Sequence, residues 1–159
     1  MAHDDLDFSD PVSEEGSGGG LENALRLASD RLPVIPGIHT IDELMEEAKE
    51  SGVEEITLPE LVSIRKANAP LTLVDLREAE ERTSGNKIRG AINIPRGLLE
   101  MTIGEYVRDA NGLIVVFCSN GIRSTLSAET LLRMGYRNVK VLSGGFQKIK
   151  KSMKKSQSE

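Results

Sequence analysis

The sequence predicts an α/β fold: a doubly wound parallel sheet flanked by helices, preceded by an N-terminal extension. Two observations predict it. From residue 54 onward, short apolar runs alternate with segments of helical character, which is the pattern of consecutive βαβ units. The runs "LTLVDL" and "GLIVVF" are rich in aliphatic residues, as expected of strands that helices cover on both faces. With 159 residues, the chain is long enough for one compact domain plus extensions.

The elements of this domain follow one another closely, and each is bounded by turn residues or caps. In order, we expect a strand at "EEITL", a helix at "PELVSIRKAN", a strand at "LTLVDL", a short helical segment at "REAEERT", a strand at "GAINIP", a partly helical stretch at "RGLLEMTIGEYV", a strand at "GLIVVF", a helix from Ser124 to Met134, and a strand and turn at "VKVLSGG".

The remaining segments differ from the domain in composition. Residues 1–20 are rich in Asp, Glu, Ser and Gly, which predicts a flexible tail, and residues 21–53 are expected to form a partly helical extension. Within it, a helix begins at Thr40, where Thr40 and Glu43 have the spacing of a capping box, and Gly52 ends it. Residues 54–150 then form the α/β domain, and residues 151–159 a basic C-terminal tail.

The helix after Thr40 presents an apolar stripe of Ile41, Leu44, Met45 and Ala48. Packing on the domain is the plain interpretation of this stripe, and a dimer or partner face is the alternative. The lysines at 148, 150, 151, 154 and 155 are typical of a solvated helix end. A contact of these lysines with tRNA or with an acidic carrier protein is the alternative.

The composition excludes several function classes. A net charge of -5 gives no reason to expect nucleic acid as a partner, and no apolar run approaches the length of a membrane span. The first ten residues, "MAHDDLDFSD", lack the features of a signal peptide. One cysteine cannot form an internal disulfide, and one cysteine with two histidines does not make a four-ligand metal site. We therefore expect a cytoplasmic protein, in a reducing compartment, without a metal or an organic cofactor.

The cysteine stands where an open α/β sheet binds ligands, directly after the buried strand "LIVVF". A loop whose backbone N–H groups curl around the sulfur would favour its thiolate form and hold an anion beside it. Gly121 permits a positive φ in such a loop, and Arg123 adds a positive charge. The candidate site residues are Cys118 as the nucleophile and Ser119, Asn120, Gly121, Ile122, Arg123 and Ser124 as the active-site loop. The alternative is that Cys118 is a small buried hydrophobic residue with no chemical role.

Four separate motifs, in order and with matching spacing, resemble a rhodanese-like domain. They are "LVDLRE", "IRGAINIP", "CSNGIRS" and "LLRMGYRNVKVLSGGF", spanning roughly Ile56 to Phe146. The resemblance implies the doubly wound fold, a persulfide on Cys118, and a sulfurtransferase of the thiosulfate sulfurtransferase type. It also implies that Asp75 and Arg77 brace the active-site side of the sheet as structural support, and that Gly144 and Gly145 form the turn near the end of the domain. Two positions depart from the family: Lys87 stands where a histidine is frequent, and no aromatic residue follows "GGF".

The same architecture supports cysteine phosphatases, and loop length separates the two. Four residues lie between Cys118 and Arg123, whereas tyrosine-phosphatase-like loops are one residue longer and usually follow a histidine, here Phe117. A phosphatase also needs an acid for its leaving group, and sulfur transfer does not. We therefore expect transfer of a sulfane sulfur from thiosulfate or a related donor to a thiol, cyanide or a protein acceptor. A cysteine phosphatase and a non-catalytic rhodanese-like binding module are the alternatives, and the sequence gives no oligomeric state.

Overall fold

The computed structural model describes residues 5–6 and 35–157. The strands are β1 (Asp5–Leu6), β2 (Glu54–Ile56), β3 (Thr72–Asp75), β4 (Lys87–Ile88), β5 (Ile92–Asn93), β6 (Ile114–Phe117) and β7 (Val139–Leu142). The α-helices are α1 (Ile41–Glu50), α2 (Leu58–Lys66), α3 (Leu99–Tyr106), α4 (Ile122–Met134) and α5 (Gly145–Gln157). Two short 3-10 turns, Ala79–Glu81 and Arg96–Leu98, follow β3 and β5.

The main sheet has five strands in the order β2-β7-β6-β3-β5, and every neighbouring pair is parallel. In the register of the sheet, Asp75 at the end of β3 lies between Phe117 at the end of β6 and Asn93 at the end of β5. The carboxyl ends of these three strands therefore meet at one edge, where a ligand is expected in such a sheet. A separate pair of strands joins β1 to β4, also in parallel.

Helices cover both faces of the sheet, and a core lies on each face. On one side, Leu99 and Ile103 of α3 and Ala128 and Leu131 of α4 pack against the sheet, in a cluster that includes Cys118. On the other side, Leu61 of α2 and Phe146 and Ile149 of α5 form the second cluster. The predicted doubly wound α/β class is confirmed.

Local signals place the helix ends where the sequence indicates them. Thr40 caps α1 with a complete capping box: its hydroxyl accepts the N–H of Glu43, and the Glu43 carboxylate accepts the N–H of Thr40. Thr57 and Glu60 form the same motif at the start of α2. The stripe of α1 is only partly buried, since Ala48 is fully enclosed while Leu44 is 38% exposed, and the helix packs against α4.

Two expected segments fall differently from the description or outside it. Of the predicted flexible tail, only Asp5–Leu6 is described, and it forms β1; the weak helical pattern from Leu21 to Arg31 and His3 lie outside the described residues. The boundary expected between residues 150 and 151 falls inside α5. This helix buries Phe146 and Ile149, and its lysines at 148, 151, 154 and 155 are exposed.

Candidate active site

Cys118 lies immediately after β6, at the carboxyl edge of the sheet, and a three-residue loop leads from it into α4. Gly121 is the N-cap of α4 and has a φ of +102°, which glycine adopts without steric cost. Because this turn closes early, α4 begins at Ile122, two residues before the predicted start at Ser124. Arg123 and Ser124 are therefore in the first turn of the helix.

The sulfur has polar neighbours from its own loop. The backbone N–H of Gly121 donates to Sγ of Cys118 at 3.1 Å, and the Ser124 hydroxyl lies 3.4 Å from Sγ. Oδ1 of Asn120 lies 4.0 Å from Sγ and accepts the backbone N–H of Ile122 at 3.2 Å. A hydrogen bond from an N–H group to sulfur stabilises the thiolate relative to the thiol.

The start of α5 supports the loop from behind. The N–H of Phe146 donates to the carbonyl of Cys118 at 2.9 Å, and the N–H of Gln147 donates to the carbonyl of Ser119 at 3.1 Å. These N–H groups are among the unpaired donors at the start of a helix, so the loop carbonyls satisfy them. The contribution of Ser119 to the site is thus its backbone.

Cys118 is fully buried and belongs to the core beneath α3 and α4. Burial agrees equally well with the alternative of a structural thiol. The polar contacts of the sulfur separate the two interpretations, because an inert core thiol needs no N–H donor. A donor molecule reaches Sγ only when the loop or its neighbours move.

Arg123 is held by Glu81, a residue that the sequence did not indicate. Its Nη1 and Nη2 donate to the two carboxylate oxygens of Glu81 at 2.8 and 2.7 Å, and both side chains are mostly buried. The hydrogen bonds to Glu81 raise the pKa of Arg123; burial opposes this, and the negative charges of Cys118 and Glu81 add to it. The guanidinium is therefore within electrostatic reach of the sulfur.

Burial raises the pKa of Glu81, but its hydrogen bonds with Arg123 and with the N–H of Glu78 outweigh burial. The charges of Arg123 and Arg77 act in the same direction. The net result is a pKa below the ordinary value, so Glu81 is ionised near neutral pH and is not an acid that donates a proton there.

Asp75 and Arg77 form a buried ion pair at the end of β3. Nε and Nη2 of Arg77 donate to the carboxylate of Asp75 at 3.0 and 2.9 Å, and Nε of Arg82 donates to it at 3.1 Å. The guanidinium of Arg77 also lies over the ring of Phe146, 4.0 Å from its centroid. This pair joins β3 to the start of α5 and, through Phe146, to the carbonyl of Cys118.

The structure brings the predicted loop together around one sulfur, with Gly121 and Ser124 in direct contact with it. The main omission of the sequence analysis is Glu81, which lies 42 residues from Arg123 in the chain. The only sequence signal for it is the acidic turn "REAEER", which contains three glutamates and does not indicate which one pairs.

Other kinds of site are not apparent in the described part of the chain. Within residues 35–157, no group of three or more His, Cys, Asp or Glu side chains is arranged to hold a metal ion. No helix among the described residues has the length and apolar character that crossing a membrane requires. A pocket of about 270 Å³ lies away from the loop, between the end of α2 and the start of β3, with Arg65 and Gly90 among its lining residues.

The rhodanese-like domain family matches this chain over residues 57–152, which include the sheet from β3 onward, the cysteine loop and the start of α5. The chain belongs to the rhodanese-like domain family. A thiosulfate sulfurtransferase of Shewanella oneidensis, GlpE, is 31% identical over 96 residues, which is 60% of this chain and 91% of that protein. Two Bacillus subtilis proteins, YrkF and YqhL, are 30% and 37% identical, and the chain spans 46% and 58% of their respective lengths.

A solved structure from Rhodopseudomonas palustris is similar to this rhodanese-like chain with a TM-score of 0.66 and 26% sequence identity. The match covers 76% of this chain and 96% of that one, and that protein is described as being of unknown function and a possible tyrosine phosphatase. The overall fold is thus shared with a protein for which phosphatase chemistry has been suggested, so the details of the loop have to distinguish the two activities.

Proposed function

We propose that this protein is a sulfurtransferase that carries a sulfane sulfur as a persulfide on Cys118. One observation carries the proposal: Sγ of Cys118 accepts the N–H of Gly121 at 3.1 Å, in a short loop that ends at the ion-paired Arg123. Such a loop supplies a nucleophile together with donors for one terminal sulfur atom. The match to the rhodanese-like family and the similarity to a protein named as a thiosulfate sulfurtransferase support the same reaction class.

The reaction consists of two displacements. In the first, the Cys118 thiolate attacks the outer sulfur of thiosulfate, a new S–S bond forms, and the bond to the sulfonate breaks to release sulfite. In the second, the carbon of cyanide or the sulfur of a thiol or protein acceptor attacks the terminal sulfur of the persulfide, and the Cys118 thiolate is the leaving group. Electrons and charge balance in both steps, and no metal or redox cofactor takes part.

The residues around the sulfur have defined roles in this scheme. Gly121 stabilises the negative charge on sulfur through its N–H, Ser124 provides a hydroxyl beside it, and Arg123 provides a positive charge. Asn120 shapes the loop by accepting the N–H of Ile122. Asp75 and Arg77 brace the edge of the sheet and do not touch the sulfur. We propose a reducing, cytoplasmic setting for this chemistry, because the thiol has to remain unoxidised between turnovers.

The similarity to the Rhodopseudomonas protein makes a phosphatase the second candidate. Two features of this chain count against it. The forked donors of Arg123 are occupied by Glu81, whereas a phosphate needs such a fork for its oxygens. Glu81 is also the carboxylate closest in function to a general acid at this loop, and its lowered pKa keeps it ionised.

The test compares both activities on one preparation. Wild-type protein and the Cys118→Ser variant are assayed for thiocyanate formation from thiosulfate and cyanide, and for hydrolysis of p-nitrophenyl phosphate. We expect thiocyanate formation by the wild type alone and no phosphate release by either. Cysteine-dependent phosphate release without thiocyanate would establish the phosphatase, and the absence of both activities, with thiosulfate bound but not turned over, would favour a binding module.

A further inference from the structure

The ion pair between Glu81 and Arg123 joins the 3-10 turn after β3 to the first turn of α4. Its geometry is bidentate, with N···O distances of 2.7 and 2.8 Å, and the Glu81 and Arg123 side chains are only 13% and 15% exposed. A planar fork of this kind fixes the orientation of the guanidinium as well as its position.

Glu81 is itself fixed by the network beneath it. One of its carboxylate oxygens accepts the N–H of Glu78 at 2.8 Å, and its backbone carbonyl accepts Nη1 of Arg77 at 3.3 Å. Arg77 is in turn bound to the buried carboxylate of Asp75. The orientation of Arg123 is thus set by a chain of contacts that begins at the end of β3.

The fork leaves one edge of the guanidinium unused. Glu81 binds both terminal nitrogens, while Nε of Arg123 is buried and has no hydrogen-bond partner among the described residues. A buried N–H without an acceptor is costly, so such a group is expected where an acceptor arrives during function. The charge of Cys118 already acts on this guanidinium.

We propose that Glu81 is a positioning residue for sulfur transfer: it holds Arg123 so that the positive charge and the unused Nε edge act on the sulfur of Cys118. The inference rests on the proposed function and deepens it. The same edge serves the Cys118 thiolate before transfer and the terminal sulfur of the persulfide after it. Glu81 touches neither sulfur and acts through Arg123.

The charge selectivity of alkylation at Cys118 tests this role without requiring any sulfur transfer. The rates with iodoacetate, an anion, and with iodoacetamide, which is neutral, are measured on the wild type, Glu81→Gln and Glu80→Gln. Glu80 is exposed in the same turn, so its replacement removes the same charge and serves as the control. We expect the ratio of the two rates to fall roughly three- to tenfold in Glu81→Gln, because Arg123 is released, and to stay unchanged in Glu80→Gln.

The other two explanations give different signs. If Arg123 keeps its place without Glu81, the loss of a negative charge raises the ratio; if Glu81 only ties two segments together, the ratio does not change. Either result overturns the proposal. Complete protection of Cys118 from both reagents in the wild type overturns it too, because Arg123 cannot serve a sulfur that no anion reaches.

Two further variants guard against loss of structure in Glu81→Gln. Arg123→Lys keeps the charge and loses the fork, and we expect the same fall in the ratio; an unchanged ratio would contradict the role of the fork. In the double variant Glu81→Gln/Arg123→Ala, we expect the ratio to equal that of Arg123→Ala alone, because Glu81 has nothing left to position. Additive effects would overturn the proposal.

Discussion

At the scale of single residues, the cysteine loop depends on the absence of a side chain at Gly145. This residue has a φ of +61°, and a Cβ built on it would lie 2.5 Å from the carbonyl oxygen of Ser119 and 2.7 Å from that of Cys118. The next two N–H groups of α5 bind the same two carbonyls. Any side chain at this position would push the start of α5 away from the loop.

Replacing Gly145 with alanine is therefore expected to lower the free energy of unfolding by about 1–3 kcal/mol and to reduce sulfur loading of Cys118. The control is Gly104→Ala in α3, where no atom lies within 4 Å of the added Cβ. This control should be neutral or stabilising by about 0.5–1 kcal/mol, because alanine is the better helix former. Urea denaturation measures both, and equal stability of Gly145→Ala and the wild type would show that the close approach is absent.

The sequence indicated the residues that act locally and omitted those that act at a distance. The capping box of Thr40 and Glu43, the φ-positive Gly121 and the placement of Cys118 after a strand all depend on neighbours within a few positions. The pairing of Glu81 with Arg123 depends on the register of separate elements, which no local pattern specifies. For the same reason, the sequence identified Gly145 as a turn residue without showing that it backs the cysteine loop.

At the scale of elements, α1 extends the domain by packing against α4, the helix that begins at the candidate active site. Ala48 is fully buried in α1, whereas Leu44 and the charged side chains around it are exposed. The plain interpretation of the apolar stripe, packing on the domain, agrees with this arrangement. The alternation of strands and helices was predicted correctly, while several strands are shorter than the apolar runs that indicated them, because only part of each run has a neighbour to pair with.

A polar side chain at Ala48 should disturb this contact. We expect Ala48→Gln to lower the free energy of unfolding by about 1–3 kcal/mol, because the amide would be buried without partners. Glu50→Gln places the same side chain at an exposed position of α1 and should change stability by less than about 0.5 kcal/mol. Chemical denaturation monitored by circular dichroism compares the two, and a neutral Ala48→Gln would mean that α1 does not pack on α4 in solution.

At the scale of the whole molecule, the charge pattern predicts a loss of stability in acid. The pKa of Glu81 lies below its ordinary value for the reasons given above; that of Glu60 is lowered by its hydrogen bonds to Thr57, and that of Glu54 by Lys140. A carboxyl whose pKa is lower in the folded chain than in the unfolded chain stabilises the fold above the unfolded value. This contribution is lost as the pH falls through the folded value.

The melting temperature should therefore decrease as the pH is lowered from about 5 to about 3. Of the three carboxyls, only Glu81 is mostly buried, and its replacement tests the buried contribution directly. We expect Glu81→Gln to be less stable than the wild type at neutral pH and to lose less stability on acidification, because its side chain cannot be protonated. Parallel curves of melting temperature against pH would contradict this assignment.

The central claim is that Cys118 accepts a sulfur atom, and the intact mass of the protein tests it most directly. Reduced wild-type protein and Cys118→Ser are weighed before and after exposure to thiosulfate, and again after addition of cyanide. The account predicts that the wild type gains the mass of one sulfur atom, that cyanide removes it, and that the folded variant gains nothing. A wild-type mass that does not change, or an equal gain by Cys118→Ser, would contradict it.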